Sequence, residues 1–413
     1  MSVTVKSKYE IIVVGSGING MLMSLLLAKN GFDVCLLDSK NFDKNNINQF
    51  SGRSYSIIDS SIYMLENLGV WDYLLSKSQI INNVIVETRK LNEKYSNSFI
   101  KFNSVNISDK PMGYIVEERY FKESLYKEFK KLRNLDVYYN KKISKISREN
   151  NYNFLEIHNS DNIKCNLLIG ADGKNSFVGK SFGINRIKYD FNQMSIVGAV
   201  KHEKSHFGNA FQIFYPGGPF AILPLKNNIS SFVWTNKKDH MKKFQDFKAL
   251  DYFYEIEKRF NGILGKISLT GETYSFPLFF NISESIIDKR LALIGEAANS
   301  IHPIAGQGLN LGLRDVATLS EVVTEAKIHG EDYGSVSVLE RYKKWRSLDR
   351  LSVSFTTTLA NSFFSGESRF LNSFRNSGMR LVNKSNLLKD TFCKEAMGAN
   401  GDLPKIMKEK VYF

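Results

Sequence analysis

A chain of 413 residues with 43% hydrophobic and 24% charged residues can build two domain cores, and this balance excludes a disordered or fibrous protein. The formal charge of +14 suits an anionic membrane surface or nucleic acid, but the basic residues are spread and no nucleic-acid motif appears, which excludes nucleic acid as a partner. Cys35, Cys165 and Cys393 lie far apart without metal-ligand spacing and read as free thiols of a reducing compartment, so no metal is expected.

Tyr9 to Val14 is a short, β-branched apolar run and predicts a buried strand. Gly15-Ser16-Gly17-Ile18-Asn19-Gly20 follows at once, then a helix through MLMSLLLAKN that stops at Gly31. Val34 to Leu37 is a second strand, closed by Asp38. Strand, G-x-G-x-x-G, helix, strand and acid form the full context of a dinucleotide site. Gly15 makes the turn, Gly17 admits a pyrophosphate and Gly20 allows close helix–strand packing. Asp38 is placed to accept hydrogen bonds from the adenosine ribose and to repel a 2′-phosphate, which disfavours NADP there. The motif leaves FAD and NAD both open. Its glycines and Asn19 also interrupt the apolar run behind Lys6 and Lys8, so neither a signal peptide nor a membrane span is expected. The chain is expected to be cytoplasmic.

Asn41 to Ser51 is polar and reads as a loop. Arg53 precedes a predicted helix through SYSIIDSSIYMLENLGVWDYL, with Ile57, Ile62, Leu65, Leu68 and Trp71 near one face. Residues 79–110 alternate polar and apolar and predict strands of a second domain. Arg119 opens a helix carrying Phe121, Leu125, Phe129 and Leu132. A cation at a helix N-terminus opposes the dipole, so an anionic partner would justify it. Val137 to Tyr139 and Ile143 to Ile146 predict further strands. In Asn166 to Val178 a buried strand ends at Gly170-Ala171-Asp172-Gly173. Phe211 to Tyr215, Phe220 to Leu225 and Ile229 to Trp234, separated by Pro-Gly-Gly-Pro and Asn-Asn turns, predict a β-meander, and residues 243–265 a helix.

The stretch from Arg290 to Asp315 organises the rest. Leu291 to Ile294 is a strand, Glu296 follows at its carboxyl edge, and the loop Gly306-Gln307-Gly308 feeds a helix that starts near Leu309. A glycine-rich loop at a helix N-terminus offers free N–H groups and a positive dipole end to something electron-rich.

The string HPIAGQGLNLGLRD resembles the C-terminal flavin fingerprint of aromatic-ring flavin monooxygenases, above all the hydroxylases of ubiquinone biosynthesis that act on polyprenylated phenols. The meander PGGPFAILPL…SSFVW and the run LGVW resemble the same family. The resemblance selects FAD and implies an α/β fold: a Rossmann-like FAD-binding domain, an interleaved β-sheet substrate domain of the aromatic-hydroxylase type and a C-terminal helical segment. It implies that Glu296 contacts the ribityl chain, and that Gly306, Gln307, Gly308, Leu309 and Asn310 face the pyrimidine end of the flavin. It places Arg53 near the flavin, Arg119 at its phosphate–ribityl region, backbone at Ile143 beside the adenine, and Asp172 between FAD and the nicotinamide nucleotide. The implied reaction uses NADH or NADPH to reduce FAD, and O2 then gives a C4a-hydroperoxide that hydroxylates a phenol.

The sequence departs from that pattern in two places. The arginine usual after the Asp172 motif is missing, with Lys174 and Lys180 as candidate substitutes, and Glu296 and Asn299 stand where the wider superfamily has Asp and His. His302, beside Pro303, is given no catalytic role. The expected boundaries are 1–78, 108–182 and 276–350 for the FAD domain, 79–107 and 183–275 for the substrate domain, and 351–413 for the tail. Substrates of this kind partition into lipid, so peripheral contact with the inner face of the cell membrane or with other quinone-biosynthesis proteins is expected. Two further readings stay open: a hydroxylase of another aromatic compound, and a flavoprotein that scaffolds a quinone-biosynthesis assembly without catalysis.

Overall fold

Lys8–Val14 forms a strand because four successive residues, Ile11, Ile12, Val13 and Val14, can be buried on both faces of a parallel sheet. It is followed by helix α1 (Ile18–Lys29), whose central residues are buried all round, and by the strand Val34–Leu37. A computed structural model describes residues 6–41, 52–91, 99–103, 110–158, 162–244, 249–300, 307–347 and 402–413. In its parallel sheet, Leu291–Leu293, Ile163–Gly170, Lys8–Val14, Val34–Leu37 and Leu135–Tyr138 lie side by side in that order. Tyr152–Ile157 and Ile143–Glu149 extend it as an antiparallel pair.

A second, eight-stranded sheet is built around the long strands Arg186–His202 and Ile267–Ser283 and the meander Asn209–Tyr215, Gly218–Leu225 and Ile229–Lys237. Asn83–Thr88 joins its edge in parallel with Asn209–Tyr215, and Phe99–Asn103 pairs outside it. Residues 83–103 therefore reach this sheet through a long excursion from the first. Strand alternation gives the meander two different faces. Ile213, Phe220, Phe232 and Trp234 face outward and bury Ile256 and Phe260 of the helix Ala249–Phe260. Phe214, Leu223, Ser231 and Val233 lie on the opposite, inner face. Phe220 belongs to this outer core, stacked on Phe232.

A three-stranded sheet joins the two: Ser54–Ile57, Gly113–Glu117 and Gln79–Ile81. Its Ile81 and Ile115 pack with Ala210 and Leu225 of the large sheet. The helix expected immediately after Arg53 starts later than its apolar pattern suggested. Ser54 to Ile57 finds a strand partner in Gly113–Glu117, the helix begins at Asp59, and Gly69 in left-handed backbone separates it from Trp71–Lys77. Tertiary pairing overrides a pattern that reads equally well as helix over four residues. Within the expected helix over 243–265 the described helix is Ala249–Phe260, and a separate short helix, Lys238–Lys242, precedes that range. The tail expected from 351 lies largely outside the described residues. Its last turn, Lys405–Met407, packs Ile406 and Met407 into the main core.

Helix α2 (Gln307–Ile328) runs beside α1, and residues 336–347 form a further helix. Asp315 of α2 is wholly buried. One carboxylate oxygen accepts from Arg346 Nε at 2.8 Å, the other from the backbone N–H of Gly295 at 3.0 Å. Tyr342 Oη donates to the carbonyl of Leu293 at 2.9 Å. The helix 336–347 and α2 therefore clamp the end of the strand Leu291–Leu293 from two sides. Asp315→Asn leaves the Arg346 guanidinium buried without its counter-charge and should cost about 3–5 kcal/mol. Thermal denaturation checks this: a shift of less than about 2 °C would remove the clamp from the account.

Candidate cofactor site

The parallel sheet brings four separate sequence signals to one edge. Gly15 follows Val14, Asp38 follows Leu37, Ala171-Asp172 follows Gly170, and Glu296 follows the strand Leu291–Leu293. All four strands point the same way, so these residues crowd the carboxyl ends. The chain switches direction there, because Val34–Leu37 lies on one side of the first strand and Ile163–Gly170 on the other. This is where open α/β sheets hold ligands. The strand ends are laced together: Gly15 N–H to Leu37 O at 2.7 Å, Ala171 N–H to Val14 O at 2.8 Å and Ile294 N–H to Gly170 O at 3.0 Å.

Gly15 sits at φ 107°, and a Cβ there would lie 2.4 Å from the carbonyl oxygen of Ala171. A Cβ on Gly20 would lie 1.9 Å from the carbonyl oxygen of Gly15. A Cβ on Gly17 would meet nothing within 4 Å, and neither would one on Gly308. Two of the fingerprint glycines are thus forced by packing, while these two face open space at the first turns of α1 and α2. Neither helix has an acidic residue in its first turn, and no side chain caps α1. Two positive dipole ends therefore open on the same edge of the sheet, and that of α1 has no side-chain cap. Asn19 sets their spacing: a Cβ on either Gly295 or Gly312 would lie 2.3 Å from its amide nitrogen, so the side chain is wedged between the turn at Glu296 and α2.

Asp38 accepts from the Ser16 N–H at 2.7 Å and Ser16 Oγ at 2.6 Å with one oxygen, and from the Lys40 N–H at 2.8 Å with the other. It braces the glycine loop and keeps lone pairs for ribose hydroxyls. Ile143 starts its strand just beyond Lys141, whose N–H bonds the Asp38 carbonyl at 2.9 Å. Asp172 accepts from the Val178 N–H at 3.0 Å through one oxygen, and its other oxygen is buried without a partner in the protein. Glu296 is exposed on a 3-10 turn, Gly295–Ala297. Arg53 stands half-exposed between Glu118, at 3.8 Å, and the ring of Tyr274, at 5.3 Å. Burial and the nearby Glu118 raise the Tyr55 phenol beside them, which keeps it neutral. Arg119 pairs with Glu117 at 2.8 Å. The Asn310 side chain is committed to the protein, accepting from Ser61 Oγ at 2.9 Å and donating to the Ser56 carbonyl at 2.8 Å, so its backbone is what it offers a cofactor. Leu309 is buried in the first turn of α2, where Gln307 begins the helix. Gly306 and His302 lie outside the described residues.

One residue of this site was missed in the sequence. Arg186 donates to the carbonyl of Lys174 at 2.7 Å and to the carbonyl of Glu296 at 2.9 Å. It ties the Asp172 loop to the Glu296 turn. Burial lowers its pKa, and the charges of Asp172 and Glu296 oppose that shift. Lys174 and Lys180, the expected substitutes for the missing arginine, are both exposed. Arg186 lies in a strand of the other sheet, and no local spacing announced it.

The open cradle at Gly17 and Gly308 and the unpartnered oxygen of Asp172 fit a dinucleotide with a long polar linker. The FAD binding domain family matches residues 8–349. The ubiquinone hydroxylase UbiL of Rhodospirillum rubrum is 31% identical over 402 residues, 97% of this chain and 92% of that protein. The chain belongs to the FAD-dependent ubiquinone-hydroxylase family. The 3-demethoxyubiquinol 3-hydroxylase of Escherichia coli is 29% identical over 94% of this chain and 98% of its own length. Among solved structures, p-nitrophenol 4-monooxygenase PnpA of Pseudomonas putida DLL-E4 superposes with a TM-score of 0.79 at 19% identity, covering 96% of this chain and 99% of that one, which shows the shared fold. Among the described residues, no group of three or more His, Cys, Asp or Glu could hold a metal ion.

The two kinds of glycine should separate on mutation. Gly17→Ala should change the stability of the FAD-free protein by less than about 1 kcal/mol and weaken FAD binding at least about tenfold. Gly20→Ala should lower stability by about 2 kcal/mol or more, because backbone must move. Flavin titration and thermal melts distinguish them, and equal behaviour of the two variants would contradict this division. Arg186→Met should weaken FAD binding about 10- to 100-fold through loss of two charge-assisted bonds, with partial recovery in Arg186→Lys. Unchanged flavin affinity in Arg186→Met would show that the two loops hold their places without it.

Proposed function

We propose that this protein hydroxylates the ring of a polyprenylated phenol in ubiquinone biosynthesis, with NADH or NADPH as reductant and O2 as oxygen donor. One oxygen atom enters the ring C–H bond as a hydroxyl. The other leaves as water, with two electrons from the nicotinamide nucleotide and a proton from solvent completing the balance. The observation that carries this reading is the meeting of four strand ends and two helix N-termini without first-turn acids at one sheet edge, in a chain whose relatives of that name match it over nearly its whole length. Bound FAD supplies the electron relay and oxygen activation that amino-acid side chains lack.

The chain's own residues bind, orient and shield. The N–H groups of α1 behind Gly17 receive the pyrophosphate and Asp38 receives the ribose. Glu296 and Asp172 take hydroxyls of the linker, and the N-terminus of α2 receives the electron-rich end of the ring system. The inner face of the large sheet, with Phe214 and Val233, would cover this edge, while its Leu223 packs with Ile81 and Met112. It is docked there by the bond from Ser231 Oγ to the Gly52 carbonyl at 2.8 Å and by Tyr274 under Arg53. Such an apolar cover excludes water from the reacting centre and suits an aromatic substrate. No helix among the described residues is long and apolar enough to cross a membrane. A substrate with a prenyl tail would then be met by peripheral contact with the bilayer.

The purified protein should carry FAD whose visible absorption bleaches with NADH or NADPH under anaerobic conditions. In air, nucleotide oxidation should accelerate with a prenylated phenol and place one atom of isotope-labelled O2 in the product. Asp172→Asn keeps an acceptor for the Val178 N–H and should still weaken FAD binding about tenfold, since the buried free oxygen is the one altered. A bound flavin that never bleaches, with phenol present, would sink the hydroxylase reading and leave the scaffold.

A further inference from the structure

The loop between Arg186–His202 and Asn209–Tyr215 shows Phe207 to solvent at 75% exposure, in left-handed backbone with φ 52°. A bulky aromatic residue is disfavoured in that backbone and in water alike. The loop is nevertheless held firmly. The Gly208 N–H donates to His206 Nδ1 at 3.0 Å, which makes Nε2 the protonated nitrogen, and it donates to the Leu225 carbonyl at 2.7 Å. Asn82 Nδ2 donates to the Phe207 carbonyl at 2.9 Å, and the Asn82 N–H to the Gly208 carbonyl at 2.8 Å. Phe207 N–H donates to Ser205 Oγ at 3.2 Å. Five hydrogen bonds thus hold the loop that carries this exposed aromatic ring.

The surroundings say what it meets. Ile80, whose carbonyl lies against Gly208, is 37% exposed, and Leu75 on the neighbouring helix Trp71–Lys77 is 44% exposed. The turn after Leu225 touches that helix through a bond from Lys226 Nζ to the Ser76 carbonyl. Lys77 on that helix, Lys204 on the loop and Lys226 on the turn are all exposed. Glu203, the nearest acid on the loop, turns away to the Lys266 N–H at 3.2 Å. We propose that this corner is a docking surface for an anionic phospholipid bilayer, with Phe207, Ile80 and Leu75 entering the headgroup–acyl boundary and the lysines meeting lipid phosphates. The proposal rests on the membrane contact inferred above and names the surface that makes it. Separate apolar tips with exposed lysines on the same helix, loop and turn, on a chain of net charge +14, match a negatively charged fluid interface better than the shaped pocket that a protein anchor fills.

The test uses the full-length, FAD-loaded protein and flotation with phosphatidylcholine vesicles, with and without roughly a third phosphatidylglycerol. The protein should float with the anionic vesicles only, and binding should fall at least about tenfold between about 50 mM and about 500 mM salt. Phe207→Gly should lower vesicle binding at least about tenfold. It should also raise the melting temperature by roughly 1–4 °C, because strained backbone is relieved. Lys204→Glu should lower binding with no change in melting. If wild type floats and Phe207→Gly floats equally, or Phe207→Gly melts lower, this corner is overturned while the membrane contact stands. If wild type floats with no vesicle, the membrane contact falls too, and the corner passes to a protein partner. Flavin bleaching by NADPH, measured on the same samples, reports the hydroxylase reading separately.

Discussion

Everything at the cofactor edge depends on where α2 points, and Asp315 fixes that. Removing a carboxylate and a guanidinium from water is costly, and the Asp315–Arg346 pair is tolerable only because each group finds further partners. Asp315 spends its second oxygen on the Gly295 N–H, and Arg346 reaches the Leu311 carbonyl. The bond to Gly295 is the important one, because Gly295 opens the turn that presents Glu296. One buried carboxylate therefore sets the direction of a helix and the position of a turn that lie twenty residues apart in sequence. Asn19 and Asn310 finish the arrangement from the other sides, the first spacing α1 from α2, the second tying the first turn of α2 to the Ser54–Ile57 strand.

This rigidity has a purpose that hydrophobic burial alone cannot serve. The core around the parallel sheet would hold the strands together in any register of their ends, since burial is non-directional. A site made of backbone N–H groups and carboxylates needs those ends placed to within fractions of an ångström. Short directional bonds between successive strand ends and buried polar wedges supply that placement. The large antiparallel sheet is positioned by the same means: a small apolar contact at Ile81 and Ala210 brings it close, and Ser231 and Tyr274 orient its inner face over Gly52 and Arg53.

Much of this could be read from the residues, and the boundary of what could be read is physical. The elements Lys8–Val14, α1 and Val34–Leu37 were legible because both period and punctuation agreed, and the turn glycines carry geometry that few other residues can adopt. The same holds for the strand before Glu296 and for the meander. The Ser54–Ile57 strand was not legible, because four residues cannot distinguish a helical period from an alternating one and the deciding partner, Gly113–Glu117, is remote in sequence. The commitment of Asn310 to Ser56 and Ser61 was hidden for the same reason. In each case a face or a partner was at stake, and faces are settled by packing.

Arg186 shows how such a remote solution arises. The family pattern expects an arginine soon after the Asp172 motif, and the place is occupied by Gly179. A Cβ at Gly179 would already sit 3.3 Å from both Leu293 Cδ1 and Ser176 Oγ, so the helix Phe177–Ser181 packs tightly against the strand Leu291–Leu293 there and a side chain would have to displace both neighbours. The need for a cation does not vanish with the space, since Asp172 and Glu296 bring two carboxylates to the same edge. The guanidinium comes instead from the first residue of the strand Arg186–His202, and from there it can do what a residue inside the motif could not. It holds the Lys174 and Glu296 carbonyls together, with Asn281 of the adjoining strand sharing the first at 3.1 Å. The large sheet thereby becomes part of the candidate cofactor site, and close packing of the helix Phe177–Ser181 at Gly179 goes together with a guanidinium supplied from the second sheet.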